Sequence, residues 1–188
     1  MLRRIYDWIM GLAHTPQAVP ALAIVAFAES SFFPIPPDAM LVPMVLAEPR
    51  RAWRIALVAT SASVLGGLAG YAIGYYLQSF GQWVIGESNF AAFRAAYAQW
   101  GLWIILIKGL TPIPYKIVTI ASGLTGFNLP VFILASIATR GARFFIVAAL
   151  LRFYGEPIRE FIERRLTLVT TAFLLLLVGG FLFVRYVA

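Results

Sequence analysis

The 188-residue chain has no cysteine and a single histidine, His14. Without cysteine there is no disulfide, no thiolate nucleophile and no Cys-ligated metal, and the redox compartment stays undetermined. One histidine cannot by itself form a His-cluster metal site. Neither H-E-x-x-H nor G-x-S-x-G occurs, and no second histidine is present to act as a base beside a nucleophile. No enzyme is expected, and no cofactor or metal site. Charge is scarce as well. Only 12% of residues are charged, where soluble domains carry about 25%. Acids are the rarer sign, 8 against 15 bases, for a net charge of +7. The bases fall in short clusters beside apolar runs instead of covering a polar face, which argues against a nucleic-acid partner.

What fills the chain is apolar: 61% of residues are hydrophobic, against roughly 45–50% in soluble domains. The expectation is an all-α integral membrane protein forming a single membrane domain over residues 1–188, because each span consumes about 20 residues and no room is left for a soluble domain. The amino terminus makes a poor signal peptide, since Asp7 and His14 interrupt its short apolar stretch, and it is expected to be retained.

Residues 1–16 read as an interfacial helix, with Leu2, Ile5, Ile9 and Leu12 at helical spacing. The next apolar stretch, 18–47, contains E-S-S-F-F-P-I-P-P-D at 29–38. Pro34, Pro36 and Pro37 remove backbone donors and push the residues before them out of the helical region, so no straight helix survives there. Each half is too short to span, and a re-entrant helical hairpin that dips in and returns is expected. Residues 55–80 are uncharged and read as a transmembrane helix whose Gly66, Gly70 and Gly74 form a smooth packing face. Residues 82–100 carry Phe90, Phe93, Tyr97 and Trp100 on one stripe and read as an interfacial helix.

The oddity then returns. Pro-Ile-Pro at 34–36 recurs at 112–114, a period of 78 residues, within a second apolar stretch at 101–127. Pro112 and Pro114 make the turn of a second re-entrant hairpin, followed by a long transmembrane helix at 129–154. A re-entrant hairpin returns to its own face while the helix after it crosses once, so the second hairpin enters from the opposite face. The expected architecture is thus two inverted-topology repeats, each a re-entrant hairpin plus a long helix, the arrangement in which secondary transporters bind substrate near the midplane. An amphipathic stretch and a C-terminal transmembrane helix are expected over 157–187. Nine Lys and Arg gather on the face holding Arg3, Arg50 and Arg152, and two, Arg94 and Arg185, on the other. The positive-inside rule then predicts a cytoplasmic amino terminus.

Six ionisable residues stand inside apolar segments: Glu29, Asp38, Lys108, Lys116, Arg140 and Arg143. Each costs roughly 2.5–3.5 kcal/mol at a helix centre on insertion scales, so they must face inward, pair or snorkel. The first hairpin carries only acids and the second only bases, so tip-to-tip hairpins set Glu29 and Asp38 against Lys108 and Lys116 across a shared cavity. Arg140 and Arg143, three apart, share a helix face able to grip a phosphate. Structural ion pairs bracing two non-helical turns are the competing reading. Buried pairs are weak stabilisers, which favours a functional site for an anionic headgroup, with a carboxylate available to carry a proton.

The pattern Glu29, Pro34-Ile-Pro36, Asp38 resembles the first re-entrant motif of the DedA family, also called SNARE-associated or VTT-domain membrane proteins. The glycine-rich helix around Gly66, Gly70 and Gly74, and residues 112–123, resemble that family's later motifs, and Arg143-Phe144-Phe145 with Tyr154-Gly155 looks like its YqaA-like branch. Lys116 departs from the arginine often found after the second proline motif; it keeps phosphate attraction and loses bidentate geometry. The resemblance implies a lipid transporter of flippase or scramblase type, moving undecaprenyl phosphate or another anionic phospholipid across a bacterial inner membrane, with coupling to the proton motive force. The alternatives are a proton-coupled small-solute or ion transporter, a helical scaffold for other membrane proteins and, last, an intramembrane enzyme. A homo-oligomer is compatible with each.

Overall fold

A computed structural model describes residues 15, 17–33, 36–110 and 115–164. The expected helix at 1–16, apart from Thr15, lies outside the described residues. So do the hairpin tips at Pro34, Pro112 and Pro114, the side chain of Lys108 and the apolar run 166–184. The described chain is all helix and turn: α1 (Ala18–Ser31), α2 (Asp38–Ala47), a short 3-10 turn (Pro49–Arg51), α3 (Ala52–Tyr76), α4 (Gln78–Ile85), α5 (Glu87–Leu110), α6 (Tyr115–Thr125) and α7 (Leu129–Arg164).

Helix length follows from where the chain is interrupted. With 14 and 10 residues, α1 and α2 reach about 21 and 15 Å at 1.5 Å per residue, less than the roughly 30 Å hydrocarbon core. Pro37 ends the gap between them; it has no N–H to lose at a helix start, and its carbonyl accepts from the N–H groups of Met40 and Leu41. Three stretches are long and apolar enough to cross a membrane: Pro49–Tyr76, Glu87–Ile107 and Leu129–Gly155. This is an α-helical membrane protein.

Two boundaries differ from the sequence expectation. The helix expected over 55–80 ends at Tyr76, where Leu77 leaves helical geometry and the separate α4 begins. The break expected near residue 100, between an interfacial helix and a hairpin arm, is absent, for α5 runs unbroken from Glu87 to Leu110. Gly101 was the only breaker there, and an isolated glycine costs a helix only about 1 kcal/mol. Its lack of a side chain serves packing, since a Cβ there would press on the Phe127 and Tyr97 rings. Further on, α7 kinks at Tyr154, three residues before Pro157, whose ring and missing N–H disrupt the preceding turn.

The turn between α6 and α7 is closed by standard capping chemistry. Gly126 takes the left-handed conformation (φ 64°), Phe127 N–H reaches back to the Ser122 carbonyl at 2.9 Å, and the Asn128 side chain caps Val131 N–H at 3.1 Å. After the reversal the long Tyr115 side chain of α6 reaches Ser136 and Arg140 of α7.

Helix α3 is the central wall, packed by α1, α6 and α7. Its glycine face explains how two helices come so close. A Cβ on Gly66 would collide with the Phe27 carbonyl of α1, and one on Gly74 with the Ile120 carbonyl of α6; Gly70 lies against Thr119 and the Ser30 carbonyl together. Gly123 on α6 answers in kind, lying against the Tyr71 carbonyl. The end of α1 and the body of α6 thus meet over Gly70, where the Thr119 hydroxyl donates to the Ser30 carbonyl at 2.9 Å. Two apolar clusters flank this meeting point. One joins Leu22, Leu41, Val45, Ala56 and Phe144; the other joins Ile105, Tyr115, Val118 and Phe132.

Candidate functional site

Between those clusters lies the charge. Glu29 sits in the last turn of α1 and Asp38 opens α2, so the broken hairpin presents one carboxylate on each side of its turn. Facing them, Arg140 and Arg143 lie three residues apart on one face of α7. The Arg140 guanidinium donates from Nη2 to Glu29 Oε2 at 2.7 Å, and Arg143 Nη2 to Asp38 Oδ2 at 2.5 Å.

This pairing corrects the expectation that the acids face Lys116; the side chain of Lys108 lies outside the described residues. Lys116 Nζ, on a half-buried residue, instead donates to the Phe32 carbonyl at 3.4 Å in an exposed contact. The second hairpin approaches Glu29 through its backbone: Tyr115 N–H, at the start of α6, donates to Glu29 Oε1 at 3.2 Å. The lysines begin or precede α6, whereas both arginines lie within α7, which packs against α2 and α3.

The two pairs differ in depth. Arg140 and Glu29 side chains are 2% and 10% exposed, those of Arg143 and Asp38 21% and 26%. Arg140 is held by two rings and two hydrogen bonds. Its Cζ lies over the Tyr115 and Phe144 rings, at 4.9 and 4.8 Å from their centroids, contacts that favour a flat guanidinium over a lysine ammonium. Its Nε–H donates to Ser63 Oγ on α3 at 2.6 Å. Tyr115 is itself fixed by a 2.6 Å hydrogen bond to Ser136.

Glu29 is ringed in turn by donors. Besides Arg140 and the Tyr115 amide, Ser30 Oγ donates to its Oε2 at 3.1 Å, and Ser30 Oγ lies 2.7 Å from Ser63 Oγ. A guanidinium has five N–H donors. Only two on Arg140 meet an acceptor among the described residues, leaving three donors of a buried cation facing no protein oxygen there. Buried donors are nearly always satisfied, so this edge is where water or an oxyanion belongs.

Sequence reasoning singled out the charged residues and missed Ser30, Ser63, Tyr115 and Phe144. Ser63 did leave a signal: it stands three and four residues before Gly66 and Gly67, which puts its hydroxyl on the small-residue face of α3. Among the described residues no group of three or more His, Cys, Asp or Glu gathers to hold a metal ion.

Half-length helices broken in an apolar run, long apolar helices around them and buried arginines at the break define a membrane protein of transporter-like construction. The chain belongs to the DedA family: residues 33–153 match the VTT domain. It is 34% identical over 168 residues to an uncharacterized protein of Haemophilus influenzae, covering 87% of this chain and 88% of that one. It is 33% identical over 157 residues to an uncharacterized homolog from Histophilus somni, covering 81% and 82%. No solved structure matches the chain.

Proposed function

We propose that the protein moves an anionic lipid, undecaprenyl phosphate or another phospholipid, between the leaflets of a bacterial inner membrane, acting as a transporter and not as an enzyme. The observation that carries this reading is Arg140, a buried arginine with three N–H groups turned to no acceptor among the described residues. A phosphate oxygen satisfies such donors in the planar geometry that guanidinium offers. Arg143 stands three residues along the same helix behind a more open pair with Asp38. An arriving phosphate displaces Asp38 from Arg143, is held between the two arginines, and leaves its hydrocarbon tail in the bilayer.

In this reading α1 and α2 form a re-entrant hairpin, and the end of α5 with α6 forms its inverted counterpart from the other face. The site then lies near the midplane, as in transporters built on broken helices. Glu29 and Asp38 are the groups available to carry a proton in a coupled cycle, and the amino terminus is cytoplasmic. The lipid headgroup is the partner, with Lys116 at the entrance; self-association is compatible with this cycle.

The test is headgroup movement in proteoliposomes. Purified protein is expected to accelerate loss of outer-leaflet anionic lipid to a membrane-impermeant reagent, and Arg143→Gln to slow it at least tenfold. If no anionic lipid moves with or without a pH gradient, the reading fails. Uptake of a water-soluble anion without lipid movement would favour a small-solute transporter.

A further inference from the structure

The mechanism above uses the charges, but the hydrogen bonds point to a neutral residue that sets them. Ser63 and Ser30 are both fully buried, and their hydroxyl oxygens lie 2.7 Å apart although 33 residues separate them in the chain. Taken as the carboxylate that its ion pair requires, Glu29 only accepts, so Ser30 spends its proton on Oε2. Ser30 must then accept from Ser63, and Ser63 in turn accepts the Nε–H of Arg140. The result is a closed ring, Arg140 to Ser63 to Ser30 to Glu29 and back to Arg140, with every hydroxyl direction fixed.

Orientation follows from that ring. Nε is bound on the α3 side and one Nη2 hydrogen on the α1 side, so the Nη1 edge is the one left over. The Tyr115 and Phe144 rings lie within cation–π distance of the guanidinium carbon, and two hydrogen bonds set its N–H directions, Nε to Ser63 and Nη2 to Glu29. Glu29 is an ion-pair partner whose attraction tolerates several angles. The single Nε–H has one direction, and Ser63 is its acceptor.

We propose that Ser63 is a positioning residue for phosphate recognition: its hydroxyl, relayed through Ser30 to Glu29, holds Arg140 so that its free Nη edge faces an incoming phosphate monoester. The assignment rests on the lipid-phosphate reading of the site and adds to it the residue that gives that site its angle.

The probe is farnesyl phosphate, with farnesol as the uncharged control and inorganic phosphate to separate a lipid headgroup from a free anion. All three are titrated onto the purified full-length protein in detergent. Wild type is expected to bind farnesyl phosphate well above farnesol and above inorganic phosphate. Ser63→Ala is expected to weaken farnesyl phosphate about tenfold, the size of one lost hydrogen bond to a charged group, and to leave farnesol unchanged. Ser63→Thr, which restores the hydroxyl, is expected to recover most of the loss. Ser30→Ala, which cuts the relay but leaves Nε bound, is expected to weaken binding about threefold and serves if Ser63→Ala does not fold.

Unchanged farnesyl phosphate affinity in both alanine variants overturns the positioning role while leaving the lipid-phosphate reading standing, and a parallel loss of farnesol overturns it too, as a loss of fold. If wild type binds none of the three phosphate-selectively, both fall together.

Discussion

Two arginines three residues apart on one helix meet two acids of one hairpin, yet the pairs are not alike. Arg140 and Glu29 are enclosed and tied to a serine of a third helix; Arg143 and Asp38 are about a quarter exposed. Taking two charges out of water is expensive, and the attraction between them offsets that cost only when further hydrogen bonds complete the site. The deep pair has that support from Ser30, Ser63 and the Tyr115 amide. The shallow pair keeps part of its solvation and is the easier of the two to exchange. One sequence thus builds a fixed cation and a replaceable contact one helical turn apart.

The largest effect should come from breaking the deep pair. Glu29→Gln is expected to lower stability by about 3–5 kcal/mol, because it strands a buried guanidinium. Asp38→Asn should cost about 1 kcal/mol, as for a pair that water still reaches. Thermal unfolding in detergent measures both, and equal losses would erase the distinction. A smaller contrast concerns glycine: Gly74→Val must push α6 off α3, at about 1–3 kcal/mol for an overpacked site. Gly141→Ala, whose new methyl would meet only Thr60 at ordinary contact distance, should be neutral or gain up to about 1 kcal/mol from helix propensity. Arg-to-Lys exchange sharpens the pairs in function. Arg140→Lys loses both the flat guanidinium over the rings and the Nε contact and should slow lipid movement about tenfold or more, while Arg143→Lys keeps a point charge against Asp38 and should slow it less. Lys116→Ala should change stability by no more than about 0.5 kcal/mol, since its one described contact is long and exposed.

The charges of the site were legible because an ionisable residue in an apolar run is conspicuous. Their pairing was not. Glu29 and Arg140 are separated by 111 residues and Asp38 and Arg143 by 105, and at that range a lysine across the repeat is as reasonable a partner as an arginine beyond it. The glycine steps named a packing face, but only the fold says that α1 and α6 both press on it. Ser63 stayed hidden because a helical serine can always turn its hydroxyl back to its own backbone, so its residue type predicts no partner. Helix ends were legible where proline forces them and not elsewhere. The break after Tyr76 has no proline at all, and at Gly101 the sequence offered a breaker that the helix ignored.

The glycine face has a mechanical consequence. Where α1 and α6 lie against α3 at Gly66, Gly74 and Gly123, backbone touches backbone, and no side chain stands at those points to swing aside or refill a gap. Such seams behave like welds. Helix α2 meets α7 through side chains, the Asp38–Arg143 pair among them, and that joint is the bearing. A molecule assembled this way carries Glu29 on a welded helix and Asp38 on a looser one, so the acid that must stay still and the acid that must let go belong to different joints.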